Sequence, residues 1–234
     1  MLDNAFEALA KLDWGSDLSA LAPIEDAVIA THEKPDERRQ LESRLIAALK
    51  GNLTRDAQGY VCRKLATVGS AAAVPVLAAL LLDKESSHMA RFALERIPAP
   101  EAAQALRDAL AKLSGNLRIG VISSLGGRRE ISAVNDLGEL LKDKDTATVR
   151  AAALALGVIG NADAAIALQS SIQSANGNVA AVIDGLLHCA ETLLAKQSFS
   201  EARRIYETLN DSQQPRLIRL AATRGLLACA AKQA

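Results

Sequence analysis

The chain has 234 residues, of which 50% are hydrophobic and only 3% aromatic, so its core must be built from Ala, Leu, Val and Ile. Its 27 basic and 27 acidic residues give a net charge of zero. Because binding to a phosphate backbone needs clustered Lys and Arg, this balance argues against a nucleic-acid-binding protein. The longest unbroken apolar run, Ala71–Leu82, is too short to cross a bilayer, so we predict no membrane insertion.

Residues 1–53 predict an irregular N-terminal cap. Within it, residues 16–52 form two longer, charged helices, the second starting at Pro35 and ending near Gly51. The single tryptophan, Trp14, is expected to pack within this cap, with an anchor for a partner as the alternative. The first residues lack the basic and apolar regions of a signal peptide. We therefore expect a soluble protein that is cytoplasmic if the chain is complete, and periplasmic or secreted if a leader has been removed.

Residues 54–175 contain a repeat. Two leucines twelve positions apart occur four times, as Leu65 and Leu77, Leu94 and Leu106, Leu125 and Leu137, Leu156 and Leu168. Apolar residues three and four positions before the first leucine predict one helix, and similar spacing around the second predicts another. Between them, Gly69, Pro98 and Gly160 predict helix ends, whereas the third repeat has Arg129 at this position. Each repeat is thus a pair of antiparallel helices joined by a tight turn.

Residues 176–234 predict a longer helix pair, at 178–196 and 198–209, and one more helix at 213–232. The last helix is strongly apolar from Leu217 to Ala231, and no polar segment follows to cover it. An uncovered apolar edge of a repeat array is an association hazard. We therefore expect either self-association through Leu217–Ala231 or a longer natural protein.

The segments combine into one fold class, because a single helix pair cannot cover its own apolar faces and must stack on its neighbours. Strand-like segments, with alternating β-branched and aromatic residues, are missing. We predict an all-α fold, a right-handed α-solenoid of about six to seven stacked antiparallel helix pairs. The whole chain, residues 1–234, is predicted to be a single domain.

The segment Thr148–Gly160 resembles the HEAT-repeat signature, in the short form of bacterial HEAT and phycobilin-lyase-type repeats, and Arg216–Leu226 is similar. Pro75 stands where such repeats often place a proline early in the second helix. The resemblance covers roughly residues 54–232 and implies an armadillo-like superhelix whose second helices line the concave side. Segments of this kind are similar to HEAT regions attached to larger bacterial multidomain proteins.

The resemblance, combined with helical geometry, selects candidate binding residues. Positions two before, two after and five after the second leucine of a repeat lie opposite the core face. The polar residues at these positions are Gln104, Asp108, Asn135, Glu139, Lys142, Ser170 and Gln173. They are mixed in charge, so an ordinary solvated helix surface is the alternative to a binding groove.

Residue patterns typical of catalysis or metal binding are absent from the sequence. HEAT-like deoxyhypusine hydroxylases hold two irons with several His-Glu pairs, whereas this chain has one such pair, His32-Glu33. Cys62, Cys189 and Cys229 are widely spaced within apolar stretches, which predicts buried thiols. We predict no catalytic residue, metal or cofactor.

These observations favour a non-enzymatic scaffold that binds a protein or peptide along the concave face. The alternative is an enzyme or lyase of HEAT-like fold that binds a small ligand in the concave groove. The sequence alone does not identify the partner, since a fold does not fix an activity.

Overall fold

The computed structural model describes residues 1–174 and 177–231, and this part of the chain is built from helices without any strand. The prediction of an all-α solenoid of antiparallel helix pairs is confirmed. The predicted boundary between residues 175 and 176 lies outside the described residues. Internal contacts divide the chain into two compact units, residues 1–124 and 125–234, which are described separately.

The first unit contains seven helices and most of an eighth: α1 (Leu2–Ala10), α2 (Ala22–Ala30), α3 (Pro35–Leu49), α4 (Arg55–Val68), α5 (Val74–Leu80), α6 (Ser87–Leu94), α7 (Pro100–Leu110) and α8 (Gly115–Gly127). The second unit contains α9 (Val134–Leu140), α10 (Thr146–Ile159), α11 (Ala162–Ser171), α12 (Val179–Ala195), α13 (Phe199–Leu209) and α14 (Arg216–Ala231). Short 3-10 helices at Leu18–Leu21, Ala71–Ala73, Ile131–Ala133 and Ile172–Ser174 tighten the connections.

The repeat register is correct, because the core contains every leucine that defined it. The four pairs, Leu65 and Leu77, Leu94 and Leu106, Leu125 and Leu137, Leu156 and Leu168, are all 0% exposed. Two leucines twelve apart can both be buried because they lie on different helices of one pair, each pointing inward. Burial of these side chains supplies the main driving force for pairing the helices.

The first helices of the repeats end near the residues that predicted their ends, and the third repeat, which lacks a glycine or proline there, is the exception. Gly160 closes α10 in the left-handed conformation, with φ of 53°. Gly69 closes α4 with a negative φ, and glycine is needed there because a Cβ would clash with the carbonyl oxygen of Leu65 and with Ile97. In the third repeat, α8 runs to Gly127, and Arg129 takes the positive φ of 54° that glycine adopts more easily.

Polar side chains cap the starts of α4, α10 and α11. Thr54 accepts a hydrogen bond from the backbone N–H of Ala57 at the start of α4. Asp145 accepts from the N–H groups of Ala147 and Thr148 at the start of α10, and Asn161 caps α11 in the same way. Such caps satisfy amides that have no partner within the helix.

Small residues let α10 and α12 approach closely. A Cβ on Gly185 would lie 2.5 Å from the carbonyl oxygen of Ala153, and one on Gly157 would lie 2.6 Å from the carbonyl oxygen of Gly185. The two backbones are therefore in direct contact. Lys196 then donates to the carbonyl oxygens of Ile159 and Gly160 at 2.8 and 2.9 Å, and so satisfies the open end of α10.

The N-terminal segment differs from its prediction in two ways. Residues 2–10 form α1, which was not predicted, and its Ala5 and Leu9 are buried. The expectation that Trp14 packs within the cap is wrong, because its side chain is 90% exposed in the loop between α1 and α2. Gly15 turns the backbone here with a φ of 78°, and the Asp13 carboxylate binds the backbone N–H of Trp14, so the indole points to solvent.

Shortening a repeat leucine tests the register. We expect Leu156→Ala to lower the free energy of unfolding by about 2–5 kcal/mol, because it leaves a cavity in the core. Leu154→Ala is the matched control, since Leu154 lies on the same helix but is 58% exposed. Urea unfolding followed by far-UV circular dichroism measures both. Similar losses for the two variants would contradict the register.

Enlarging a residue at the helix crossing tests the close approach of α10 and α12. We expect Gly185→Ala to destabilise the protein by about 1–3 kcal/mol, because its methyl group would overlap the backbone of Ala153. Gly127→Ala is the control, since a Cβ there meets no atom within 4 Å. It should be neutral or stabilising by up to about 1 kcal/mol, the usual gain of Ala over Gly in a helix. A neutral Gly185→Ala would show that the helices are further apart.

Candidate functional site

A groove of about 300 Å³ lies along the second helices of two successive repeats, α9 and α11. We call it the α9–α11 groove. It exists because the facing positions are small: Gly138 on α9 lies opposite Ala167 on α11, and a Cβ on the glycine would stand 3.5 Å from that alanine's methyl group. Its lining residues are Val134, Asn135, Gly138, Glu139, Lys142, Ala167, Ser170 and Ser171.

Four of the seven residues predicted to face a binding groove line this one: Asn135, Glu139, Lys142 and Ser170. The helical repeat explains the result, because burial of Leu137 and Leu168 turns these positions away from the core. All four side chains are exposed. The structure thus places them together, while their role in binding stays a prediction.

The groove carries one charge of each sign. The Lys142 ammonium lies 3.1 and 3.2 Å from the two carboxylate oxygens of Glu139, one turn earlier. Both side chains are more than half exposed, so this ion pair contributes about 0–1 kcal/mol to stability. A ligand can therefore replace either partner at little cost. The Ser171 hydroxyl instead donates to the carbonyl oxygen of Leu168 at 2.8 Å and so supports the end of α11.

The other three predicted residues lie elsewhere. Gln104 and Asp108 belong to α7 in the first unit, where the Gln104 amide donates to the Asp108 carboxylate at 2.7 Å. Gln173 is exposed in the 3-10 helix after α11 and does not line the groove. Gly138 and Ala167 also line the groove but were not predicted, although their small size next to the repeat leucines was the available signal.

The first unit also has cavities that were not predicted. A groove of about 360 Å³, lined largely by Phe6 and the alanines of α3, opens beside Arg44. The Arg44 guanidinium stacks 4.3 Å from the centre of the Phe6 ring and pairs with Asp3 at 2.7 Å. A smaller cavity of about 220 Å³ borders Cys62, His88 and Phe92.

The three cysteines are buried, as predicted. Burial raises the pKa of the Cys62 thiol to about 12 and that of Cys189 to about 11. Such thiols stay protonated at neutral pH and are poor nucleophiles and metal ligands. Within residues 1–174 and 177–231, His, Cys, Asp and Glu side chains form no group of three or more that could hold a metal ion. Among the helices described, none is long and apolar enough to span a membrane.

Comparisons with known proteins found a matching repeat family and a similar solved structure. The family model for HEAT repeats matches residues 105–186. Among solved structures, human deoxyhypusine hydroxylase in complex with glycerol is similar with a TM-score of 0.41 and 16% sequence identity, over 98% of this chain and 96% of that chain. No curated protein matches the sequence. At this level of similarity, neither the activity nor the ligand of that enzyme is carried over to this chain.

The comparisons do not support our main functional prediction. We interpreted the chain as a non-enzymatic scaffold, but the similar solved structure is that of an enzyme. That interpretation is wrong, because a repeat fold without catalytic motifs does not indicate a binding role. The chain is an α-solenoid, and its residues 105–186 match the family model for HEAT repeats.

Proposed function

We propose that this chain is an enzyme or lyase that binds a small polar ligand in the α9–α11 groove. The observation that supports the proposal is the convergence of Asn135, Glu139, Lys142 and Ser170 on one groove. Its volume of about 300 Å³ is at the lower end of the range for small-molecule sites. Val134 and Ala167 add apolar contact surface beneath these polar groups.

The charges in the groove favour a small zwitterion, such as an amino acid. The carboxylate of Glu139 suits a ligand ammonium group, and the ammonium of Lys142 suits a ligand carboxylate. Because the two side chains pair with each other at 3.1 Å, a ligand with both charges can replace each partner's counter-ion at once. A ligand with one charge would leave the other side chain without a partner. The Asn135 amide and the Ser170 hydroxyl add hydrogen-bonding groups of either polarity.

Nuclear magnetic resonance tests the ligand class. An equimolar mixture of the twenty amino acids should shift the backbone amide signals of α9 and α11, and separate titrations should then identify the ligand. Glu139→Gln and Lys142→Met should each weaken its binding at least about tenfold, which corresponds to about 1.4 kcal/mol. Neither variant should unfold, since the pair is exposed.

Glu37→Gln is the matched control, because Lys34 and Glu37 form an ion pair of the same spacing and the same 3.1 Å distance on the surface of the first unit. It should bind the amino acid as the wild type does. Unchanged signals of α9 and α11 in the presence of the mixture would show that the proposal is wrong.

A further inference from the structure

The two ends of this electrically neutral chain carry opposite charges. Residues 1–37 contain nine acidic and two basic residues, whereas α14 contains three arginines and no acidic residue. The acidic residues of the first segment are Asp3, Glu7, Asp13, Asp17, Glu25, Asp26, Glu33, Asp36 and Glu37. All except Glu25 are classed as exposed. Such a separation of charge favours association between opposite ends of different molecules.

The helix α14 exposes large apolar side chains among its arginines. Leu217, Leu220 and Leu227 are 77%, 54% and 67% exposed. At about 100° per residue they fall in one sector of the helix together with Arg216 and Arg224. We call these five residues the α14 face. The opposite side of the helix packs on α13, where Gly225 fits against the ring of Tyr206.

The acidic end exposes a complementary patch at residues 13–18, a loop that ends on the first residue of the 3-10 helix Leu18–Leu21; we call it the Trp14 loop. It contains Asp13 and Asp17 beside Trp14 and Leu18, which are 90% and 58% exposed. An exposed indole offers a large apolar area that an interface can remove from water. Trp and Arg are also the residues most enriched at the energetic centres of interfaces, and Arg stacks well on indole rings.

Local hydrogen bonds hold the Trp14 loop in shape. The Asp13 carboxylate accepts from the backbone N–H of Trp14 at 2.8 Å, and the Asp13 N–H donates to the Ser16 hydroxyl at 3.0 Å. Asp17 accepts from the Ser19 N–H at 2.9 Å, and Gly15 takes a φ of 78° that completes the turn. The loop therefore presents Trp14 outward without needing to become ordered on binding, which lowers the entropic cost of an interface.

We propose that the α14 face of one molecule docks on the Trp14 loop of a second copy of this chain. Leu217, Leu220 and Leu227 cover the indole and Leu18, while Arg216 and Arg224 meet Asp13 and Asp17. The two patches differ, so the contact is heterologous and each molecule uses both patches, one with each neighbour. This inference is independent of the α9–α11 groove.

Two variants with substitutions on the exposed surface test the two patches separately. Trp14→Ala disables the loop, and the double change Leu220→Ser with Arg224→Glu disables the α14 face. Ile131→Ala is the control, because Ile131 is 63% exposed outside both patches. Sedimentation equilibrium from micromolar to millimolar protein measures the average mass, and circular dichroism confirms that each variant is folded.

The wild type and the Ile131→Ala control should gain mass with concentration, and added salt should reduce the gain because it screens the charges. Each disabled variant alone should remain a 24.6 kDa monomer. Mixed in equal amounts, the two should form a 1:1 heterodimer, since each retains the patch that the other lacks. A wild type that stays monomeric at millimolar concentration would overturn the proposal. A Trp14→Ala variant that still associates, or a mixture that forms no heterodimer, would also overturn it.

Discussion

The structure depends on how closely its helices approach one another. With aromatics at 3% of the residues, the chain has few large side chains to fill space between helices. The helices α10 and α12 instead touch through Gly157, Gly185 and Ala153, and Gly126 similarly lies against Ala155. Close contact between the helix backbones compensates for the lack of large side chains, because it creates many short-range dispersion contacts. The same approach brings Thr192 of α12, and Lys196 just after it, within hydrogen-bonding distance of carbonyl groups of α10.

The use of small residues also forms the candidate site. Leu137 and Leu168 hold α9 and α11 on the core, while Gly138 and Ala167 leave space between the outer surfaces of these helices. Larger residues at those two positions would fill the groove and leave Glu139 and Lys142 on a flat surface. Neighbouring positions of the same two helices therefore determine both how α9 and α11 pack on the core and the shape of the α9–α11 groove.

The sequence predicts much of the fold, because the buried residues of a helix recur at a regular spacing that can be counted along the chain. The repeat leucines are buried as predicted, and the same helical geometry places Asn135, Glu139, Lys142 and Ser170 together. Where the structure differs from the prediction, the causes are local. Trp14 is apolar, yet no element folds over it, and Arg129 adopts a positive φ because the chain must turn there without a glycine. The scaffold interpretation failed for another reason, since the regular spacing of apolar residues predicts a fold but not an activity.

The exposed indole has a practical consequence. Trp14 is the single tryptophan, and it is already surrounded by water in the folded protein. Its fluorescence will consequently change little when the core melts, so an unfolding curve recorded by that signal would suggest a protein without a cooperative transition. The same property makes the indole a selective optical probe of events at the N-terminal surface, unaffected by the repeats that stabilise the rest of the chain.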